Sequence, residues 1–202
     1  MGAEMKDDLI NKIIQQVYDN LTGRFANAGN NAKILLSVVE EAGDGHYLEI
    51  GVMHGGSLCA VALLKKHLGH TGVCVGVDPF DGFYFDRTGK INDPKSNIPV
   101  IEDTVLENIK IFQLNNIELI KAYSPEFKTD KLFRVAFIDG KHTERSVWDD
   151  WQKIKDITTD YVVFHDYGAI QGVTNAVNKA ADDIEWDIYT VDKMTAVMRR
   201  KE

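Results

Sequence analysis

The chain has 202 residues, enough for one domain with a short appendage, and its 44% apolar and 27% charged residues exclude a disordered chain. A net charge of −8 excludes a broad nucleic-acid surface, and no apolar run approaches the roughly 18 residues of a membrane helix. The two cysteines, Cys59 and Cys74, are too few for a disulfide framework or a cysteine-based zinc site and read as buried thiols of a reducing cytoplasm.

The N-terminal stretch MGAEMKDDLI has neither the basic nor the apolar region of a secretory leader, and Lys6 breaks the myristoylation pattern. From Met5 to Leu21, Leu9, Ile13, Ile14, Val17 and Leu21 recur at helical spacing, and Gly23 ends that helix. A second helix runs over Ala32 to Ala42. Residues 1–43 thus form an N-terminal helical segment, a lid or a contact in a homo-oligomer, ahead of a domain over 44–202.

There the pattern changes. His46 to Gly51 reads as a strand, Ser57 to His67 as an apolar helix, and Gly72 to Asp78 as a buried strand. This is one βαβ unit. The alternation continues with a helix over Ile101 to Leu114, a strand over Ile117 to Lys121 and a turn at Tyr123-Ser124-Pro125. Next come a strand over Phe133 to Ile138, a helix over Thr143 to Ile157, a strand over Tyr161 to Phe164 and a helix over Val173 to Ala181. Trp186 to Val191 and Thr195 to Arg199 close the chain as two strands joined by a short turn. The expected fold class is α/β: a Rossmann-like, doubly wound, mostly parallel seven-stranded sheet with one antiparallel strand near the edge. The long segment Pro79 to Pro99, with Phe80, Phe83, Tyr84 and Phe85, is too aromatic for a linker and reads as a lid or substrate wall.

Open parallel sheets bind ligands at the carboxyl ends of their strands. Four of the five ends here carry an acid: Glu49, Asp78, Asp139 and His165-Asp166, with Tyr123-Ser124 at the fifth. Gly51, Gly55 and Gly56 let backbone approach a ligand, and Ser57 can cap the following helix. A dinucleotide fingerprint would need glycine where Met53 stands. Asp78, 27 residues after Gly51, can accept both hydrogen bonds of a ribose diol, and Ser124 can meet an adenine edge or cap its own turn. The acid pairs Asp149-Asp150 and Asp182-Asp183 read as solvated helix faces.

As a set, E-x-G-x-x-x-G at Glu49 to Gly55, the acid Asp78 and Ser124-Pro125-Glu126 resemble the class I S-adenosylmethionine-dependent methyltransferases. FIDGKHTERSVWDDW (137–151) and VFHDYG (163–168) resemble the small-molecule O-methyltransferase branch related to cephalosporin-biosynthesis and macrolide or aminocoumarin sugar enzymes. The resemblance implies S-adenosylmethionine lined by Glu49, Gly51, Gly55, Ser57, Asp78 and Ser124. It also implies a divalent cation at Asp139, His165 and Asp166, beside the hydroxyl of a small-molecule acceptor. The carboxylates suit magnesium, whereas His165 suits manganese, iron or zinc better. Asp139 also reads as a cofactor-facing or cap residue without metal, and His165 as an ordinary hydrogen-bonded histidine. His142 is placed to act as a general base or to touch the cofactor. Lys141 stands where some relatives carry an Asp suspected as the base, so that role does not transfer. Two alternatives share much of this pattern: an NAD-dependent oxidoreductase and a non-catalytic cofactor-binding protein.

Overall fold

A computed structural model describes residues 3–82 and 91–201, with the side chains of residues 3–5 left aside. Helices α1 (Ala3–Asn20) and α2 (Asn30–Ala42) lead into β1 (His46–Ile50), α3 (Gly56–Leu68) and β2 (Cys74–Asp78). Then follow α4 (Glu102–Ile111), β3 (Ile117–Lys121), a 3₁₀ turn at Ser124–Glu126 and β4 (Phe133–Ile138). The chain ends with α5 (Glu144–Ile154), β5 (Thr158–His165), α6 (Gln171–Ala180), β6 (Trp186–Asp192) and β7 (Thr195–Arg200).

The seven strands form one sheet in the order β3-β2-β1-β4-β5-β7-β6. All neighbours are parallel except β7, which runs antiparallel to both β5 and β6 and lies one strand in from the edge. The order reverses at β1 and β4, so their carboxyl ends open on a crevice, where ligands of such sheets bind.

Strand alternation sorts the side chains into two cores. Tyr47, Val135, Phe137, Tyr161 and Val163 face α1, α2 and α3. Leu48, Ile50, Ala136, Ile138, Val162 and Phe164 face the apolar side chains of α5 and α6. Both faces of the central strands are buried, hence their near-continuous apolar sequences. The N-terminal segment belongs to the first core: Ile10, Ile13, Val17, Leu35, Leu36 and Val39 are all buried there.

Some boundaries differ from the sequence expectation. β5 begins at Thr158 rather than Tyr161, because the polar start Thr-Thr-Asp still pairs, Phe133 opposite Thr158. α5 stops at Ile154 and not at Ile157. Among the described residues no helix is long and apolar enough to cross a membrane.

Candidate active site

A cavity of about 710 Å³ opens over the ends of β1, β2, β4 and β5. Gly51, Ser57, Asp78, Ser124, Asp139, His142, His165 and Asp166, far apart in sequence, all line it. Glu49 and Gly55 do not.

Glu49 shares the parity of Tyr47 and therefore points into the α3 layer. It is fully buried, accepting hydrogen bonds from Tyr47 Oη at 2.7 Å and Ser57 Oγ at 2.6 Å. Burial pushes its carboxyl up to about 8, against the pull of those two hydroxyls. The expectation that Glu49 lines the cofactor is thus corrected in placement: it stands behind the wall and holds Ser57. Ser57 likewise is not the cap of α3. Gly55, left-handed at φ 81°, occupies that position.

Gly51 has a structural requirement of its own. At φ 90°, a Cβ there would lie 2.3 Å from the Asp139 carbonyl oxygen. The close approach of β1 and β4 at the crevice depends on its missing side chain.

Asp78 organises the first turn. One carboxylate oxygen accepts the amides of Val52 (2.8 Å) and Met53 (3.1 Å), and the other accepts Phe80 (2.8 Å). Burial raises its pKa, opposed by these amides. Met53 and Phe80 both sit at positive φ, strain of the kind found at ligand sites.

At the other end of the crevice four titratable groups converge. His142 Nε2 lies 3.2 Å from Asp139 Oδ1 and 3.5 Å from Asp166 Oδ2. His165 Nδ1 lies 3.2 Å from Asp139 Oδ1 and 3.4 Å from Asp166 Oδ1. Burial pulls the His165 imidazole down, but the two carboxylates outweigh it and hold it up at about 10. Burial likewise opposes ionisation of Asp139, and hydrogen bonds from the two histidines win, so its pKa is lowered. Ligand atoms of Asp139, His142 and Asp166 lie within 4.8 Å of one another. This compact group contains His142 rather than the His165 expected from sequence.

The N-terminal segment reaches this cluster, which sequence reasoning missed. Asn27 Nδ2 lies 3.4 Å from Asp139 Oδ2, and Asn31 Nδ2 lies 3.2 Å from His165 Nε2. Arg24 also lines the cavity and makes a two-point ion pair with buried Asp93, both contacts 3.0 Å. That pair ties the far half of the segment 79–99 to the N-terminal region. Phe83, Tyr84 and Phe85, the aromatic heart of the expected lid, lie outside the described residues; Phe80 is buried.

Residues 48–167 match the family model described as a methyltransferase domain, more than half of the chain. The protein belongs to that methyltransferase family. The match replaces the oxidoreductase alternative. Solved structures agree in fold. An O-methyltransferase from Bacillus cereus, determined in complex with SAH, superposes with a TM-score of 0.64 at 15% identity, over 96% of this chain and 91% of that one. An O-methyltransferase from Streptomyces achromogenes involved in tomaymycin synthesis, in complex with SAM, gives 0.62 at 12% identity over 96% and 90%. A calicheamicin methyltransferase gives 0.62 at 16% identity over 95% and 93%. No curated protein sequence matches the chain.

Proposed function

We propose that this methyltransferase moves a methyl group from S-adenosylmethionine to a hydroxyl of a small molecule, with a divalent cation at the acceptor. The observation that carries the reading is that Asp139, His142, His165 and Asp166 gather in the same cavity as Gly51, Ser57, Asp78 and Ser124. One end offers a glycine turn and an acid for a nucleoside; the other offers acids and imidazoles for an acceptor.

Gly51 gives backbone access to the cofactor, Gly55 caps the helix behind it, Asp78 accepts the ribose diol, and Ser124 borders the base. Glu49 acts indirectly by fixing Ser57. At the acceptor end, Asp139 and Asp166 offer hard oxygen donors and His165 a nitrogen donor, a set that suits magnesium or manganese. Asp139, Asp166 and His165 would hold such a cation, which would lower the pKa of the acceptor hydroxyl. The methyl of a sulfonium is already activated, so the remaining task is in-line orientation and removal of one proton. His142, held by Asp139 through a contact at Nε2, is the imidazole that this reading assigns to that proton. The clustering within 4.8 Å supports a second assignment in which the imidazoles exchange roles and His142 joins the two acids as ligand.

The test is calorimetric titration with S-adenosylmethionine, followed by turnover on a panel of phenols and sugars before and after exhaustive chelation. Cofactor binding with chelation-sensitive turnover is expected. Absence of cofactor binding overturns the reading. Full turnover after chelation overturns the metal role alone. Comparing manganese affinity in His142→Ala and His165→Ala distinguishes the two ligand sets.

A further inference from the structure

Arg24 and Lys95 line the cavity and belong to neither the cofactor turn nor the acceptor cluster. Asp93 brings these two cations together. It opens a tight turn in which its carbonyl accepts the Asn97 amide at 2.8 Å and its amide donates to the Ile98 carbonyl at 2.9 Å. Lys95 therefore sits on that turn, two residues from the acid that Arg24 grips. The third cation of the wall, Lys141, belongs to the loop after β4.

Asp93 is consumed within the protein. It is fully buried, and its two oxygens accept Arg24 Nε and Nη2, both at 3.0 Å, the Ser96 amide at 2.9 Å and the Ser96 hydroxyl at 2.8 Å. That two-point grip fixes the guanidinium plane. It spends two of the five N–H donors and turns the Nη1 edge away from Asp93. The Arg24 side chain keeps 27% of its surface exposed, and among the described residues it makes no second ion pair. Lys95 is exposed and, among the described residues, makes no ion pair at all. A planar fork with donors to spare and a free ammonium on one wall suit a carboxylate. The site is close to the reacting centre: Asn27, three residues after Arg24, touches Asp139 at 3.4 Å. Three residues span at most ~11 Å, about the length of one small molecule.

We propose that Arg24 and Lys95 bind a carboxylate carried by the acceptor, with Asp93 as the residue that positions Arg24, so that the substrates are hydroxy acids. The proposal rests on the methyl-transfer reading above and adds a substrate class that this reading does not require. S-adenosylmethionine carries a carboxylate of its own, and the test separates the two sources.

The probes are 4-hydroxybenzoate and 4-hydroxycinnamate, each compared with its neutral amide, titrated by NMR into the full chain saturated with S-adenosylhomocysteine. The wild-type protein is expected to prefer the acid by roughly tenfold in at least one pair, the scale of a hydrogen bond to a charged group at a partly exposed site. Lys95→Gln should narrow this to about threefold, and Lys95→Glu should remove it; Lys95 is exposed, so both variants should fold. Arg24→Lys keeps a charge on Asp93 but gives up the fork, and should narrow the preference as well. Lys128→Gln removes an exposed charge outside the cavity and should keep it. Affinity for S-adenosylhomocysteine should stay within about twofold in every variant. A wild-type protein that binds neither acid, or binds acid and amide alike in both pairs, overturns the proposal, as do Lys95 variants that keep the full preference. Variants that weaken S-adenosylhomocysteine as much as the acid would assign the two cations to the cofactor's carboxylate, which overturns the proposal while the cofactor reading stands. A wild-type protein that does not bind S-adenosylhomocysteine overturns both.

Discussion

The amide of Asn31, in the first turn of α2, bridges two elements: its nitrogen lies 3.2 Å from His165 Nε2 and its oxygen accepts the Thr195 hydroxyl at 3.1 Å. The opposite ring nitrogen faces Asp139 and Asp166. A partner on one imidazole nitrogen sets what the other presents to the site. Under the proposed function, Asn31 would thus be a positioning residue for the acceptor end, supplied by the N-terminal segment.

Asn31→Leu keeps the approximate volume and removes both hydrogen bonds. Turnover should fall roughly 10- to 100-fold, the usual range for loss of such an orienting partner. Affinity for S-adenosylhomocysteine should change by less than about twofold, since the change is remote from the nucleoside end. Steady-state kinetics and calorimetry on the same preparation check this. A parallel loss of both quantities would mean that Asn31 only holds the fold.

Gly51→Ala tests the approach of β1 to β4. The new Cβ would stand 2.3 Å from the Asp139 carbonyl at a φ of 90°. Strain and overpacking together should destabilise the protein by about 2–5 kcal/mol. Gly69→Ala is the control: its φ is 71° in the left-handed region with nothing within 4 Å, so only the conformational penalty of ~1–2 kcal/mol remains. Urea unfolding of both variants measures the difference. Equal losses would remove the steric argument.

Glu49 predicts a pH dependence of stability. Its folded pKa of about 8 exceeds the unfolded value, so between roughly pH 4.5 and 8 the native state holds a proton that the unfolded chain has released. Stability therefore falls as pH rises through that window, by up to about 1.4 kcal/mol per pH unit from this group. Tyr47, Asp139 and Asp78 are the titratable groups that act on it. Glu49→Gln stays neutral and should flatten that part of the urea-midpoint profile. An unchanged slope would show that Glu49 is ionised in the folded protein.

The strands were legible because β3 and β4 carry compact apolar runs bounded by turns, and their observed limits coincide with those read from the sequence. The gathering of acids at strand ends was legible for the same reason. The direction of each side chain was harder. Glu49 follows the parity of Tyr47 into a helix layer, a period-2 signal present in the sequence but outweighed by the motif. Asp150 shares the helical spacing of Val147 and Ile154, yet an adjacent pair of acids looks solvated. Asn27 and Asn31 had no legible signal: their partners lie 112 and 134 residues away, and only tertiary packing creates those contacts.

Asp166 decides whether the acceptor cluster works as an ion site. Its φ is 60°, a left-handed conformation that asparagine tolerates as well as aspartate. Asp166→Asn therefore keeps backbone and shape while removing one of the two charges that face His142 and His165. Asp166→Ala would add backbone strain and confuse the result. Manganese affinity of the asparagine variant should weaken by about 100-fold or more, beyond the loss typical of an outer partner. Turnover should fall in parallel, and affinity for S-adenosylhomocysteine should stay within about twofold, because the cluster lies at the acceptor end. With one carboxylate neutralised, His165 also loses part of what holds its pKa up, so its titration by NMR should move toward the ordinary histidine value. Normal manganese affinity with normal turnover would reduce Asp139 and Asp166 to hydrogen-bonding partners of the two histidines. Lost turnover with unchanged manganese affinity would instead assign Asp166 to orienting His142.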